Sequence, residues 1–377
     1  MKKILFFIES LANGGAEKVL SDMICNLDSF GYDIAVCTVT DGGVYQNKVS
    51  NSCKYYSFLK MEDYYSGGLK KILFFIKTKA IYKLPAKLIY RRFIREKYDI
   101  EVAFIEGFAT KLIAASSNVQ SKKIAWVHTD MEKNTYADKY HRTVKSQILT
   151  YKKYHKIVCV SQDVKEIFER KFKINENTCV LYNLINEGKI IELSKQSIMI
   201  KKRKSILLCA IGIIEKEKGY IRLLKCVNKV VEKYKDFEIW IIGEGSLRNE
   251  LEEYIKVHKL DDNIILLGFQ KNPYKYLNCC DAFICSSYAE GFSTAATESL
   301  ILGKPVFTVN CSGMQELIGD SKCGDIVPNN DNALFELLQK IVSKQYPLEE
   351  YKNSAIIRSQ KFKMSMRLKE LHDLFDS

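Results

Sequence analysis

Two glutamates, Glu290 and Glu298, stand eight positions apart around what reads as the start of a helix. The apolar run Ala282-Phe283-Ile284-Cys285 just before them has the pattern of a buried parallel strand. The chain then turns through Tyr288, Ala289, Glu290 and Gly291, and Ser293 or Thr294 can accept the free N–H groups of a first helical turn. That helix is expected to run to Leu302 and stop at Gly303 and Pro305, before a further strand at Val306-Phe307-Thr308-Val309. In this βαβ unit Glu290 lies above a strand's carboxyl end, Glu298 lies on the helix, and a helix N-terminus that favours phosphate lies between them. A ligand made of a hydroxyl-rich part, a diphosphate and a second hydroxyl-rich part engages all three; a nucleotide-sugar has that shape. For any single pair of glutamates, a surface residue and an ordinary helix residue is the commoner reading. The chain itself shows why: Glu106-Gly107-Phe108 repeats the triplet Glu290-Gly291-Phe292, yet the second carboxylate position there is Ala114.

Other residues are candidates for the same kind of chemistry. Gly14-Gly15 lies between a first strand, residues 4–8, and a first helix near residues 18–30. A glycine pair there lets backbone amides approach a phosphate closely, or simply makes a turn. His128 ends the strand at residues 124–127, and in a doubly wound sheet such a position opens onto the ligand crevice; a structural histidine is as good a reading. The other four histidines have no such placing.

Strand and helix signals alternate along the chain, which is the pattern of a parallel sheet. In the first part, strands are expected at 4–8, 33–38, 101–104, 124–127, 156–160 and 179–181. The pattern breaks at residues 187–204, read as a linker, and resumes with strands at 205–210, 237–242, 264–267, 282–285 and 306–309. The division is therefore an N-terminal domain (1–186), a linker (187–204) and a C-terminal domain (205–357). A helical tail (358–377, within a helical reading of 348–375) packs back on the first domain. Two such domains in succession are expected to face each other across a cleft.

The chain has 377 residues, long for one α/β core, and its 47% hydrophobic and 27% charged residues are those of a globular protein. Twelve cysteines without a CxxC pair or zinc spacing read as reduced thiols in a cytosol. The apolar run at 4–8 is too short for a signal peptide, and no run is long enough to span a bilayer. The net charge of +13 points to a polyanionic partner. From Leu69 to Lys97, Lys79, Lys83, Lys87, Arg91 and Arg95 recur every four residues beside Phe74, Phe75, Tyr90 and Phe93. That is the signature of a basic amphipathic segment lying on an anionic membrane, with Pro85 dividing it; a solvated helix face is the alternative.

Taken in order, the motifs resemble the retaining glycosyltransferases of the GT-B architecture, family 4, over nearly the whole chain. Glu290-Gly291-Phe292 with Glu298 matches the E-x7-E motif, and Gly243-Glu244-Gly245 the Gly-x-Gly turn. Asp281 and Ser286 match the approach to E-x7-E, and Gly303-Lys304-Pro305 its exit. Gly14-Gly15-Ala16-Glu17, Trp126-Val127-His128 and Tyr182-Asn183 match the N-terminal domain. The resemblance implies that Glu290 holds donor-sugar hydroxyls and Glu298 the ribose. It puts the backbone of Gly15 and of Gly291, Phe292, Ser293 and Thr294 on the sugar and diphosphate, His128 beside the transferred sugar, and Lys218 on the diphosphate. The family needs no metal, and no DxD motif is present. One departure stands out: where the family has an arginine ahead of the Lys-Gly pair, this chain has Ile213, and Lys216 is the nearest substitute.

The expectation is a retaining hexosyltransferase, with no cofactor, that moves sugar from a nucleotide-sugar to a saccharide or lipid-linked acceptor. It would work at the cytosolic membrane face, as in surface polysaccharide or glycolipid assembly. A nucleotide-sugar epimerase of the same fold is one alternative. A nucleic-acid-binding protein is another, disfavoured because no nucleic-acid motif accompanies the charge.

Overall fold

A computed structural model describes residues 1–27 and 30–376. The chain divides into two compact units, Met1–Leu184 with Ser365–Ser377, and Ile185–Met364.

Unit 1 is a seven-stranded sheet of β1 (Lys3–Ile8), β2 (Asp33–Thr40), β3 (Lys54–Leu59), β4 (Ile100–Ala103), β5 (Lys122–Val127), β6 (Lys156–Cys159) and β7 (Thr178–Val180), in the order β3-β2-β1-β4-β5-β6-β7. Every pairing is parallel. The central strands are buried on both faces, with Ile4, Leu5, Phe6, Val102 and Ile124 inaccessible, which is why they read as unbroken apolar runs. The helix Met364–Asp376 belongs to this unit, and its Phe375 packs against Phe6 and Tyr32.

Unit 2 is a six-stranded parallel sheet of β8 (Ile206–Ile211), β9 (Phe237–Ile242), β10 (Ile264–Gly268), β11 (Ala282–Cys285), β12 (Val306–Val309) and β13 (Gly324–Val327), in the order β10-β9-β8-β11-β12-β13. Each sheet reverses its direction of winding once, between β1 and β4 in unit 1 and between β8 and β11 in unit 2. Crevices at such reversals, outside the carboxyl ends of the strands, are where doubly wound sheets hold ligands.

Two expectations need correction. Residues 187–204 are not all linker. Asn186 accepts from the Lys189 N–H and caps a helix, Glu187–Ser194, whose Ile190 packs with Ile185, Tyr274 and Ile301 of unit 2. The helical reading over 348–375 is broken into Leu348–Ser359, a short 3-10 turn and Met364–Asp376, and the chain returns to unit 1 at that break. The basic stretch is divided at Pro85, as expected. Leu84 turns extended ahead of Pro85, separating helices Gly68–Lys83 and Ala86–Phe93, and Arg95 lies beyond the second. The first helix of unit 1 spans Gly15–Leu27, and residues 28 and 29 of its expected range lie outside the described residues.

Candidate active site

Glu290 and Lys218 meet at the winding reversal of unit 2. The Lys218 ammonium donates to Glu290 Oε1 at 2.7 Å, and the Ser287 hydroxyl donates to the same oxygen at 2.6 Å. Burial disfavours the Lys218 charge, but the Glu290 carboxylate more than offsets this and holds its pKa above the ordinary lysine value. The lysine is thus a fixed, fully charged donor.

Backbone bolts hold the pair in place. The Ser286 hydroxyl donates to the Lys218 carbonyl at 3.0 Å, and the Tyr288 N–H to the Glu217 carbonyl at 2.7 Å. Gly219 adopts φ +64°, and a Cβ there would collide with the Ser286 carbonyl oxygen, so only glycine lets the two loops close up. Arg222, buried on the next helix, donates to the carbonyls of Ser286 at 2.6 Å and Ser287 at 2.8 Å. Its guanidinium lies 4.0 Å from the centre of the Tyr288 ring. A small cavity beside this frame is lined by Lys218, Tyr220, Cys285, Ser287, Glu290 and Ser293. Burial raises Cys285, yet the neighbouring Cys311 thiol outweighs it, and the Cys285 pKa falls to about 7.

Beyond Glu290, Gly291 and Phe292 lead into the helix Thr294–Ile301, whose cap is Ser293, its hydroxyl accepting from the Ala296 N–H at 3.3 Å. Glu298, in the second turn, is buried and accepts from the Tyr274 hydroxyl at 3.2 Å. Both glutamates of the motif therefore belong to one unit and one βαβ turn. Gly243 and Gly245 have a packing role: a Cβ on either would run into the backbone of Gly212 or Ile214. The loops after β8 and β9 are zipped together by Gly212 N–H to Ile242 O at 3.0 Å and Ile214 N–H to Glu244 O at 2.8 Å. Ile213 projects from this zipped loop and is exposed, and Lys216 is exposed as well.

The remaining candidates lie in unit 1. His128 follows β5, and its backbone N–H donates to Glu106 Oε2 at 3.0 Å. Burial lowers the pKa of its ring despite that carboxylate, and among the described residues Nε2 has no hydrogen-bond partner. Neutral His128 therefore keeps one nitrogen unused. Gly14 precedes the Gly15–Leu27 helix, and the Glu17 carboxylate folds back into the space where a Gly14 side chain would go. Tyr182 stacks under the Arg367 guanidinium at 5.3 Å, and Asn183 is buried.

Sequence spacing singled out Glu290 and Glu298, the family resemblance added Lys218, and the structure brings Lys218 against Glu290. Spacing missed Ser287, Tyr274 and Arg222, which serve the site from ordinary loop and helix positions; only the position of Ser287, three residues before Glu290, could have flagged it.

Comparison with known proteins agrees with this architecture. Residues 191–361 match the family model of the glycosyl transferases group 1, and residues 13–189 that of glycosyltransferase family 4. The chain is 27% identical over 372 residues to the N-acetylgalactosamine-N,N'-diacetylbacillosaminyl-diphospho-undecaprenol 4-alpha-N-acetylgalactosaminyltransferase of Campylobacter jejuni, covering 96% of each chain. It is 28% identical over 348 residues to an uncharacterized glycosyltransferase of Methanocaldococcus jannaschii, covering 85% of this chain and 84% of that one. Among solved structures, Anabaena HepE in complex with UDP and glucose superposes over 100% of both chains with a TM-score of 0.76 at 17% identity.

Proposed function

Because the chain belongs to the group 1, family 4 glycosyltransferases and has their GT-B fold, we propose that it transfers a hexose-type sugar, with retention of configuration, from a nucleotide-sugar to a saccharide or lipid-linked acceptor. The observation that carries this reading is the Lys218–Glu290 pair, set at 2.7 Å beside the cap of the Thr294–Ile301 helix. In the reaction, negative charge accumulates on the departing diphosphate, and a fixed ammonium aimed there stabilises it without reorganising. Glu290, already accepting from Ser287 and Lys218, has the carboxylate to accept donor-sugar hydroxyls. Glu298 is assigned to the ribose and the first-turn amides behind Ser293 to the phosphates. His128, neutral and with Nε2 unpartnered, is assigned to a sugar hydroxyl. Glu290 is not assigned as a nucleophile; the leaving phosphate takes the acceptor proton. Lys218 supplies the positive charge in this scheme, so activity should survive chelation by EDTA.

The test is a screen of nucleotide-sugars by thermal stabilisation. The true donor should raise the melting temperature of wild type and less so that of Glu298→Ala. An inverted anomeric product would refute the retaining mechanism.

A second part of the reading concerns place. The helix Gly68–Lys83 exposes Leu69, Ile72, Leu73, Phe75 and Ile76. Ten lysines and arginines but only one acidic residue, Glu96, lie between Leu69 and Lys97. Apolar side chains standing in water beside a dense positive field suit the headgroup layer of an anionic leaflet. We assign this segment to docking on the cytosolic membrane face, where a lipid-linked acceptor of the kind named for the Campylobacter jejuni relative would be presented. Among the described residues no helix is long and apolar enough to cross a membrane. Equal binding to neutral and anionic vesicles would count against docking.

A further inference from the structure

The winding reversal of unit 1, between β1 and β4, carries side chains that none of these roles uses. Glu9 leaves the end of β1, and its carboxylate accepts from three phenols: Tyr82 at 2.7 Å, Tyr136 at 3.1 Å and Tyr140 at 3.4 Å. Tyr82 comes from the Gly68–Lys83 helix, and Tyr136 and Tyr140 from the turn Tyr136–Tyr140 after β5. Tyr136 and Tyr140 also share a hydrogen bond of 2.9 Å, and the Phe108 ring closes the cluster 4.7 Å from Tyr82. Gly107, at φ +93°, lets the tyrosines in: a Cβ there would stand 3.0 Å from Tyr140 and 3.3 Å from Tyr136.

This cluster opens to solvent, for Tyr136 is 40% exposed and Glu9 only half-buried. Burial lifts the Glu9 pKa above the ordinary carboxylate value, against the pull of the phenols and Lys139. Burial also lifts nearby Glu17, and Glu9 adds to the effect. Among the described residues no ion pair joins either carboxylate. Lys139 is the cation beside the cluster, its ammonium 3.8 Å from the centre of the Tyr136 ring and 5.0 Å from that of Tyr140, so a phosphate brought here would meet two carboxylates and a single lysine already seated on ring faces. A neutral sugar ring fits better: its hydroxyls donate to Glu9, and its C–H face lies against a tyrosine ring, whose face is electron-rich.

We propose that Glu9, with Tyr82, Tyr136 and Tyr140, forms a saccharide subsite for a neutral sugar ring of the acceptor. The proposal rests on the glycosyltransferase reading and adds the residues that choose the acceptor. The competing role is a structural network that merely ties the Gly68–Lys83 helix to β1.

The two are separated by saturation-transfer NMR on the full chain saturated with UDP, using methyl glycosides of glucose, galactose, N-acetylglucosamine and N-acetylgalactosamine as probes. At least one glycoside should receive saturation from wild type. Glu9→Gln and Tyr136→Ala should each weaken its binding about tenfold while UDP affinity stays unchanged. Glu298→Ala should do the reverse. A wild type that binds UDP but no glycoside, or glycoside binding unchanged in both unit 1 variants, overturns the subsite. A wild type that binds no nucleoside diphosphate, UDP included, instead overturns the donor reading, and the glycoside arm still decides the subsite.

Discussion

Lys218 and Glu290 neutralise each other, and that mutual hold has consequences for each. On the proposed scheme Lys218→Ala removes the charge assigned to the leaving diphosphate, and it should lower kcat by about a hundredfold or more with little change in fold. Single-turnover kinetics would check this. Glu290→Gln keeps the shape but loosens Lys218, and its effect should fall on KM for the donor as well as on kcat. Ile213 stands where the family has an arginine, so on the proposed function Ile213→Arg should tighten binding of the donor's nucleoside diphosphate, as calorimetry would show. The residues with roles in this site were legible in proportion to how far each role depends on spacing. Glu290 and Glu298 are fixed by a strand–turn–helix and can be counted off. Arg222 acts through its reach to two carbonyls from a helix that looks like any other, so nothing in its neighbourhood announces it. The triplet Glu106-Gly107-Phe108 was set aside for lack of a second carboxylate. It nonetheless follows β4 at the reversal of its own sheet, with Glu106 accepting from the His128 backbone and from Thr129.

At the level of elements, the loops around the site depend on a few backbone choices. Gly219→Ala forces a side chain against the Ser286 carbonyl at a left-handed φ. It should cost stability and separate Lys218 from Glu290, so activity should fall further than the loss of melting temperature alone explains. The turn after β5 responds to acid. Burial depresses His141 to about 4, below its ordinary 6.5, so its contribution to stability is fully present above pH 6.5 and is lost as pH falls toward 4. His128 is depressed by burial too and acts in the same direction. The fall in melting temperature between pH 7 and pH 5 should therefore be smaller in His141→Gln than in wild type. The split basic segment makes its own prediction. On the proposed docking, replacing Lys77 and Lys79 with glutamine should weaken binding to anionic vesicles by about 1 kcal/mol each, and Phe75→Glu should weaken it further by removing exposed apolar surface.

For the molecule as a whole, the alternation of apolar runs and helical patterns was enough to read two parallel sheets in succession. Two strands escaped, β3 and β13, and both are sheet edges. Their sequences, KYYSFL and GDIV, are only partly buried, so they lack the apolar continuity that burial on both faces imposes on a central strand. The return of the chain to unit 1 was harder still, since the break after Gln360–Phe362 carries no glycine or proline. That return sets an order of events during synthesis. Unit 2 is one continuous stretch and can finish as soon as Met364 has left the ribosome. Unit 1 begins first, yet the aromatic contacts of Phe6 and Tyr32 wait for Phe375. The half of the protein that is born first is completed last, and through that interval its exposed aromatic surface is what a chaperone would meet.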